Sequence, residues 1–293
     1  MIGGIDMRDN PEPIIFSHEI KMTEGGDSPI LVEDEELKER RRKRLTVIGQ
    51  VFIGILFFVL WELLATWKII DSYYWSSPTI IWETGLIAFT EGTLWSDLLY
   101  TSGATILGFL LGTFFGALLG LSFWWSYFYS RIAEPYLIAF NAIPKLALAP
   151  VLVILFGIGF SSKVVLAFMM TVIVTAIAAH SGVKSVDSDL EKMLFSLGAK
   201  KHHIFTKVVI PSAMPWIVSS LKINIALALA GTIVGEFISS RQGIGRMILY
   251  AGQIMNINLV WVGVVVLSIL SVLMYVGTVW LEKRLLRGKS IRE

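Results

Sequence analysis

Six apolar stretches divide residues 45–280, and their length leaves few folds open. They run over about 45–66, 98–121, 132–156, 163–183, 212–238 and 259–280. Each is close to the ~20 residues a helix needs to cross ~30 Å of hydrocarbon. Inside a bilayer every backbone polar group must be satisfied within its own segment, which selects helices. A soluble fold would need a core too large for 293 residues, of which 55% are hydrophobic and only 16% charged. The expected fold is all-α, a polytopic membrane protein with about six transmembrane helices. The third stretch is the irregular one, because Pro144 and Pro150 interrupt helical hydrogen bonding there.

The few charges are segregated. Arg40, Arg41, Arg42, Lys43 and Arg44 precede the first stretch, and Arg131 lies between the second and third. Lys184, Lys192, Lys200, Lys201 and Lys207 fall between the fourth and fifth. Lys283, Arg284, Arg287, Lys289 and Arg292 follow the sixth. These sixteen share one side of a six-span arrangement, whereas the other side holds only Lys68, Lys163, Arg241 and Arg246. The bias places both termini in the cytoplasm. Residues 1–44 read as an acidic cytoplasmic tail ending in a basic cluster, 45–282 as the transmembrane domain and 283–293 as a basic cytoplasmic tail. Residues 1–39 carry eleven acids against three basic residues and no long apolar run, which excludes a cleaved signal peptide and describes a solvated extension.

Several chemistries are excluded. The chain has no cysteine, hence no disulfide, thiolate metal site or cysteine nucleophile. His202 and His203 are adjacent and point to different helix faces, while His18 and His180 stand alone, so no metal site is expected. A GxxxxGK[ST] phosphate loop is absent, and Gly243-Ile244-Gly245 lacks a strand–turn–helix context; it reads as a turn outside the fifth span. No catalytic residue, cofactor or nucleic-acid partner is expected.

Outside the membrane on the far side, Ser77 before Pro78 is a helix start, with Ser77 as N-cap and a helix reaching about Thr90. Tyr73, Tyr74, Trp75 and Trp82 read as interfacial aromatics, and Glu62 as the outer boundary of the first span.

On the cytoplasmic side, residues 184–211 form a polar, basic loop between long apolar runs. Gly198 is followed thirteen positions later by Pro211, itself preceded by Val208, Val209 and Ile210. Residues 190–201 can form a short helix, with Pro211 ending a second one before the fifth span. Phe195, Leu197 and Ala199 offer an apolar docking face, rimmed by Lys192, Lys200, Lys201 and His202. Gly198 permits a tight turn or a close backbone approach. The plainer reading is a basic loop that only obeys the inside-positive bias.

Polar residues within the spans are candidates for a transport pathway. Glu236 lies near the outer end of the fifth span, where an acid is costly and faces the bundle interior or water. It reads as a lining or gating group, or as an interface residue paired with Arg241 or Lys163. Lys145, beside Pro144, could meet an anion at a broken helix or snorkel from a kink. Asn141 is a candidate of the same kind, and Lys222 either snorkels or pairs with a neighbour. Gly103, Gly108, Gly112, Gly116 and Gly120, at a four-residue interval from Gly108, make a small-residue stripe for close packing, inside the protomer or at a dimer seam.

Residues 190–211 resemble the cytoplasmic loop of ATP-binding cassette (ABC) importer permeases, whose pattern is Glu-Ala-Ala, three residues, Gly, nine residues, Ile-x-Leu-Pro. The Gly198–Pro211 spacing is kept; Lys192, Met193 and Leu194 stand where Glu-Ala-Ala is expected, with Glu191 one position earlier. The resemblance extends over about 73–287, through Ser77-Pro78, Ala142-Ile143-Pro144, Leu146–Pro150, Phe156-Gly157-Ile158-Gly159, Val183–Asp187, Val234-Gly235-Glu236-Phe237 and Gly243-Ile244-Gly245. Together these look like the nitrate, sulfonate, taurine and bicarbonate branch.

The resemblance implies a permease subunit of the inner membrane, paired as a dimer around a central path, with a cytoplasmic coupling helix. It implies cytoplasmic ATPase subunits, which hold the ATP, docked through Phe195, Leu197, Gly198, Ala199, Lys200, His202 and Pro211. A solute-binding protein would deliver a small, anionic solute from outside. The alternatives are a secondary transporter or channel, or an importer of the same kind carrying a vitamin precursor such as a pyrimidine.

Overall fold

The computed structural model describes residues 29–286. The acidic stretch 1–28 and Arg287, Lys289 and Arg292 lie outside the described residues. Residues up to Val59 form one unit and those from Leu60 a second. The described part of the first is helix α1 (Pro29–Thr66), whose last turns belong to the second unit. Residues 29–39, the end of the expected solvated extension, and the basic cluster 40–44 are helical and continuous with the first span. Among the described residues there is no strand.

The second unit is built on three long helices: α4 (Thr93–Ser122), α7 (Phe160–Lys184) and α10 (Ile210–Ile238). Small side chains explain why they pack so closely. A Cβ on Gly108 would lie 2.8 Å from the Val164 carbonyl oxygen, one on Gly116 2.7 Å from Thr175 Cβ, and one on Gly120 2.6 Å from Ala179 Cβ. The glycine stripe of α4 is thus filled by α7 of the same chain, which settles its place within the protomer. Gly182 of α7 does the same against Ala213 of α10, where a Cβ would meet the Ala213 Cα at 2.6 Å. Close backbone approach replaces the hydrophobic drive that is missing between helices in lipid. Phe109, Ala167, Val218, Leu221 and Ile225 fill the space among the three helices.

Hydroxyls cross-link the same interface. Thr105 Oγ1 meets Thr232 Oγ1 at 3.1 Å, and Asn224 Nδ2 donates to Thr175 Oγ1 at 2.8 Å. Such membrane-buried bonds are worth about 0.6 kcal/mol each, so they set register more than strength.

Among the described residues five helices are long and apolar enough to span a membrane, and the third expected span is a broken pair. Helix α5 (Tyr127–Ala142) ends at Ile143, whose ψ of 133° is extended. Pro144 excludes the α conformation from the residue before it and contributes no N–H. One 3₁₀ turn follows, then α6 (Ala149–Phe156), with Pro150 tolerated in its first turn. The two arms are bent by 75°.

At the end of the bundle away from the 184–211 loop, α3 (Pro78–Thr90) begins as its sequence requires: Ile80 N–H donates to Ser77 Oγ at 3.4 Å, with Pro78 at the first helical position. Glu62 Oε2 accepts the Thr79 N–H at 3.1 Å, adding a carboxylate at the positive end of α3. A short turn, α2 (Ser72–Trp75), precedes it. Helix α11 (Ile244–Gln253) and the last long helix, α12 (Ile257–Leu286), close this side through Ala88, Leu94, Ile244 and Met247.

Candidate functional site

The loop between α7 and α10 carries a short amphipathic helix, α8 (Ser188–Ser196). Asp187 caps it, its Oδ1 accepting the Asp189 N–H at 2.8 Å. The helix stops five residues before the expected 201, because Gly198 adopts a left-handed φ of +83°. Gly198 N–H bonds to the Phe195 carbonyl and Ala199 N–H to that of Leu194, both at 3.0 Å, the two bonds of a Schellman cap. Open space surrounds the Gly198 Cα, so the glycine is needed for its backbone angle.

The cap leaves apolar groups facing outward: Leu197 is 75% exposed, and Phe195 and Met193 are exposed as well. Lys200 and His202 are exposed beside them and Ala199 is half-buried. The opposite side of the loop is tied down. Glu191 Oε1 accepts the Trp124 indole N–H at 2.8 Å, Lys201 donates to the Trp125 carbonyl at 2.7 Å, and Phe205 packs on both tryptophan rings at 5.5 Å. The acid standing one place before the expected glutamate is thus used to fasten α8 to the elbow between α4 and α5.

Pro211 does not end a helix, contrary to expectation. From Lys201 the chain is helical through α9 (Lys201–Ile204), a π turn at Phe205–Val209 and α10, an unbroken 38 residues to Ile238. The Ile210 N–H reaches back five residues to Phe205. This widened turn changes the hydrogen-bond register immediately before the proline, where its missing N–H would otherwise break the ladder. The fifth span therefore extends without interruption into the polar loop.

Near the first turns of α4 and the last turn of α10, three side chains grip one turn. Asp97 Oδ1 accepts the Gly243 N–H at 2.7 Å, Thr101 Oγ1 the Ile244 N–H at 3.0 Å, and Glu236 Oε2 the Gly245 N–H at 2.8 Å. The Thr101 hydroxyl in turn donates a hydrogen bond to Glu236 Oε1 at 2.8 Å. These are the N–H groups that α11 leaves unpaired at its start. Gly243, at φ +116°, has no room for a side chain beside the Glu236 carboxylate, and a Cβ on Gly245 would lie 2.9 Å from Glu236 Cβ. Glu236 is fully buried here, whereas Arg241 is exposed. Lys163, assigned by its sequence position to an outer loop, is also fully buried; its ammonium donates to the carbonyls of Ile158 and Ser239 and acts electrostatically on Glu236.

Asn141 and Lys145 come together across the 75° elbow, Lys145 Nζ donating to the Asn141 carbonyl at 3.0 Å and to its Oδ1 at 3.3 Å. Glu236 joins neither; its partners come from α4 and the turn before α11. Lys222 is paired, 2.7 Å from Glu282 of α12. Sequence reasoning missed Trp124 and Asp97. The available signals were a Trp pair at the end of the second span and an acid directly before its uncharged stretch.

The family model for binding-protein-dependent transport system inner membrane components matches residues 104–287. The taurine transport system permease protein TauC of Escherichia coli (strain K12) is 29% identical over 262 residues, covering 86% of this chain and 95% of its own. The formylaminopyrimidine transport permease protein ThiX of Halalkalibacterium halodurans is 31% identical over 192 residues, covering 65% of this chain and 76% of its own. Among solved structures, an inward-facing form of the MetNI methionine ABC transporter aligns at TM-score 0.53 with 20% identity, covering 71% of this chain and 98% of that one. An amino acid ABC transporter aligns at TM-score 0.54 with 17% identity, covering 69% and 96%. At these identities the solved structures bear on the fold.

Proposed function

The chain belongs to the family of binding-protein-dependent transport system inner membrane components and is a permease of the ABC importer kind; from that premise we propose how it works. Cytoplasmic ATPase subunits dock on the exposed face of α8, through Phe195 and Leu197, with Lys200 and His202 at the rim. ATP is bound and hydrolysed on those subunits; this chain performs no covalent chemistry and holds no cofactor. Both termini are cytoplasmic, two copies of the permease surround the path, and a solute-binding protein delivers cargo at the outer face.

The observation that carries this reading is the two-sidedness of α8. Its outward side presents apolar groups to water, while its inner side is fastened to the α4–α5 elbow, and the helix that follows its cap runs from Lys201 to Ile238 without a break. Exposed apolar groups on a rigidly held element mark a protein contact. A partner pushing there moves a helix that reaches the outer side.

For the cargo we propose a small anionic solute of the sulfonate type. The relatives named for taurine and aliphatic sulfonates align with 86% and 94% of this chain. The Lys145 ammonium at the elbow would attract such a charge. Glu236 and Asp97 act on the path by holding the turn before α11 and do not touch the solute. Purification of the tagged chain from its own cells in mild detergent tests the coupling. An ATPase should accompany the wild type and be lost from Leu197→Asp, which changes an exposed side chain. Retention of the ATPase by that variant would remove α8 as the docking element.

A further inference from the structure

The corner between α7 and α8 encloses a cavity of about 430 Å³. Its walls come from the α4–α5 elbow, the first turns of α5, the last turns of α7 and the beginning of α8. That volume lies within the ~300–1,000 Å³ typical of small-ligand sites. Three of its charged groups are already committed. Lys184 donates to Glu134 Oε1 at 2.6 Å, and Glu191 accepts from Trp124.

Two groups are left over. Arg131 lies 4.9 Å from the centre of the Tyr127 ring and has no carboxylate partner among the described residues. Its guanidinium retains a fork of donors for an oxyanion. His180 is 6% exposed, and neither of its ring nitrogens has a hydrogen-bond partner. Its Nε2 is 3.9 Å from Glu134 Oε2, beyond bonding reach, and its other neighbour is the Phe123 ring at 5.1 Å. Buried polar groups are almost always paired, and His180 is part of the cavity wall.

We propose that the cavity binds a phosphate group, supplied by the headgroup of an anionic phospholipid of the inner leaflet. Arg131, exposed at the mouth, donates to the phosphate oxygens, with His180 in the wall behind it. The lipid source follows from position. Trp124, Trp125, Tyr127 and Tyr129 cluster at this level, as aromatic residues do where headgroups lie. Of the charged groups in the lining, Lys184 is neutralised by Glu134 and Glu191 is held by Trp124, which leaves the Arg131 guanidinium as the uncommitted charge for a headgroup phosphate. Because α7 and α8 both wall the cavity, the bound phosphate braces the coupling helix against the membrane helices. The lipid assignment rests on the cytoplasmic placement of α8 proposed above; the recognition of phosphate does not.

Native mass spectrometry on the delipidated protein, purified with whatever subunits accompany it, tests this. The probes are phosphatidylglycerol, a glycolipid of equal chain length that lacks phosphate, and inorganic phosphate. The wild type should retain one phosphatidylglycerol per chain in preference to the glycolipid. Arg131→Ala, a change at an exposed position, should weaken that retention about tenfold or more. Lys68→Ala, in the outer loop, should not change it. Inorganic phosphate bound by the wild type and not by Arg131→Ala, without phosphatidylglycerol retention, would keep the phosphate site and move its source to a soluble ligand. Equal retention of both lipids, equal binding by Arg131→Ala, or no binding of any probe would overturn the proposal. None of these readouts depends on ATPase association, so its failure leaves the transport reading standing.

Discussion

Trp124 donates its indole N–H to Glu191 across 2.8 Å, joining residues 67 positions apart in the chain. The elbow between α4 and α5 and the exposed helix α8 are fastened at this point.

Removal of that bond should uncouple without unfolding. Glu191→Ala deletes a partly buried, charge-assisted hydrogen bond worth about 1.5–3 kcal/mol at most. Uptake in cells should fall severalfold while membrane expression stays near wild type. Glu191→Gln, which keeps an acceptor for Trp124, should recover most of the uptake.

Gly198 should tolerate substitution in order of left-handed tolerance. Its surroundings are open, so the cost is conformational alone, about 1–2 kcal/mol for Ala and less for Asn. ATPase co-purification should follow the order Gly, Asn, Ala. Gly198→Trp should abolish it while the protein still reaches the membrane, because the added ring stands on the docking face.

The grip on the turn before α11 should make Glu236 a stability residue. Glu236→Ala leaves the Gly245 N–H and the Thr101 hydroxyl unpaired in a buried setting, at about 1–3 kcal/mol each. The detergent-solubilised protein should lose several degrees of melting temperature. Glu236→Gln should lose less, since its carbonyl oxygen still accepts one of the two bonds.

The α4 glycines should separate sharply by position. A Cβ at Gly112 would run into Thr171, whose own Cβ would lie 3.0 Å away, so Gly112→Leu should cost about 1–3 kcal/mol or prevent assembly of the bundle. Gly103→Ala meets only the Phe160 ring at 3.6 Å and should be neutral. Thermal melts of the two variants side by side provide the comparison.

Charge at the elbow should matter to an anionic cargo. Lys145→Glu should lower uptake about tenfold, the size of a local steering effect. Lys145→Arg should keep most of it. Equal uptake by the charge-reversed variant would remove Lys145 from the path.

Much of this architecture was legible from local pattern. Apolar length gave the spans, Ser77-Pro78 gave the start of α3, and Pro144 and Pro150 marked the third span as irregular, because each is a property of neighbouring residues. The exposed face of Phe195 and Leu197 followed from Gly198 and a short amphipathic run. Asp97 was missed because its partner, Gly243, is 146 residues away. Lys163 looked like a loop cation, since nothing in its neighbourhood announces that the distant Ser239 carbonyl will receive it. Pro211 was read as a stop by the usual rule for proline, and the π turn that spares the helix is a property of register that single residues do not display.

The unbroken helix from Lys201 to Ile238 spans 38 residues, about 57 Å at the ~1.5 Å rise of an α-helix. It is a connecting rod. One end is seated beside the coupling helix through Lys201 and Phe205, and the other carries Glu236 and its hold on the turn at Gly245. The π turn, with its looser hydrogen bonds, is the compliant joint along it. With ATPase subunits docked on α8 as proposed, a stroke delivered at the Lys201 end would be carried to the turn at Gly245, unless the joint at Phe205–Val209 absorbed it first.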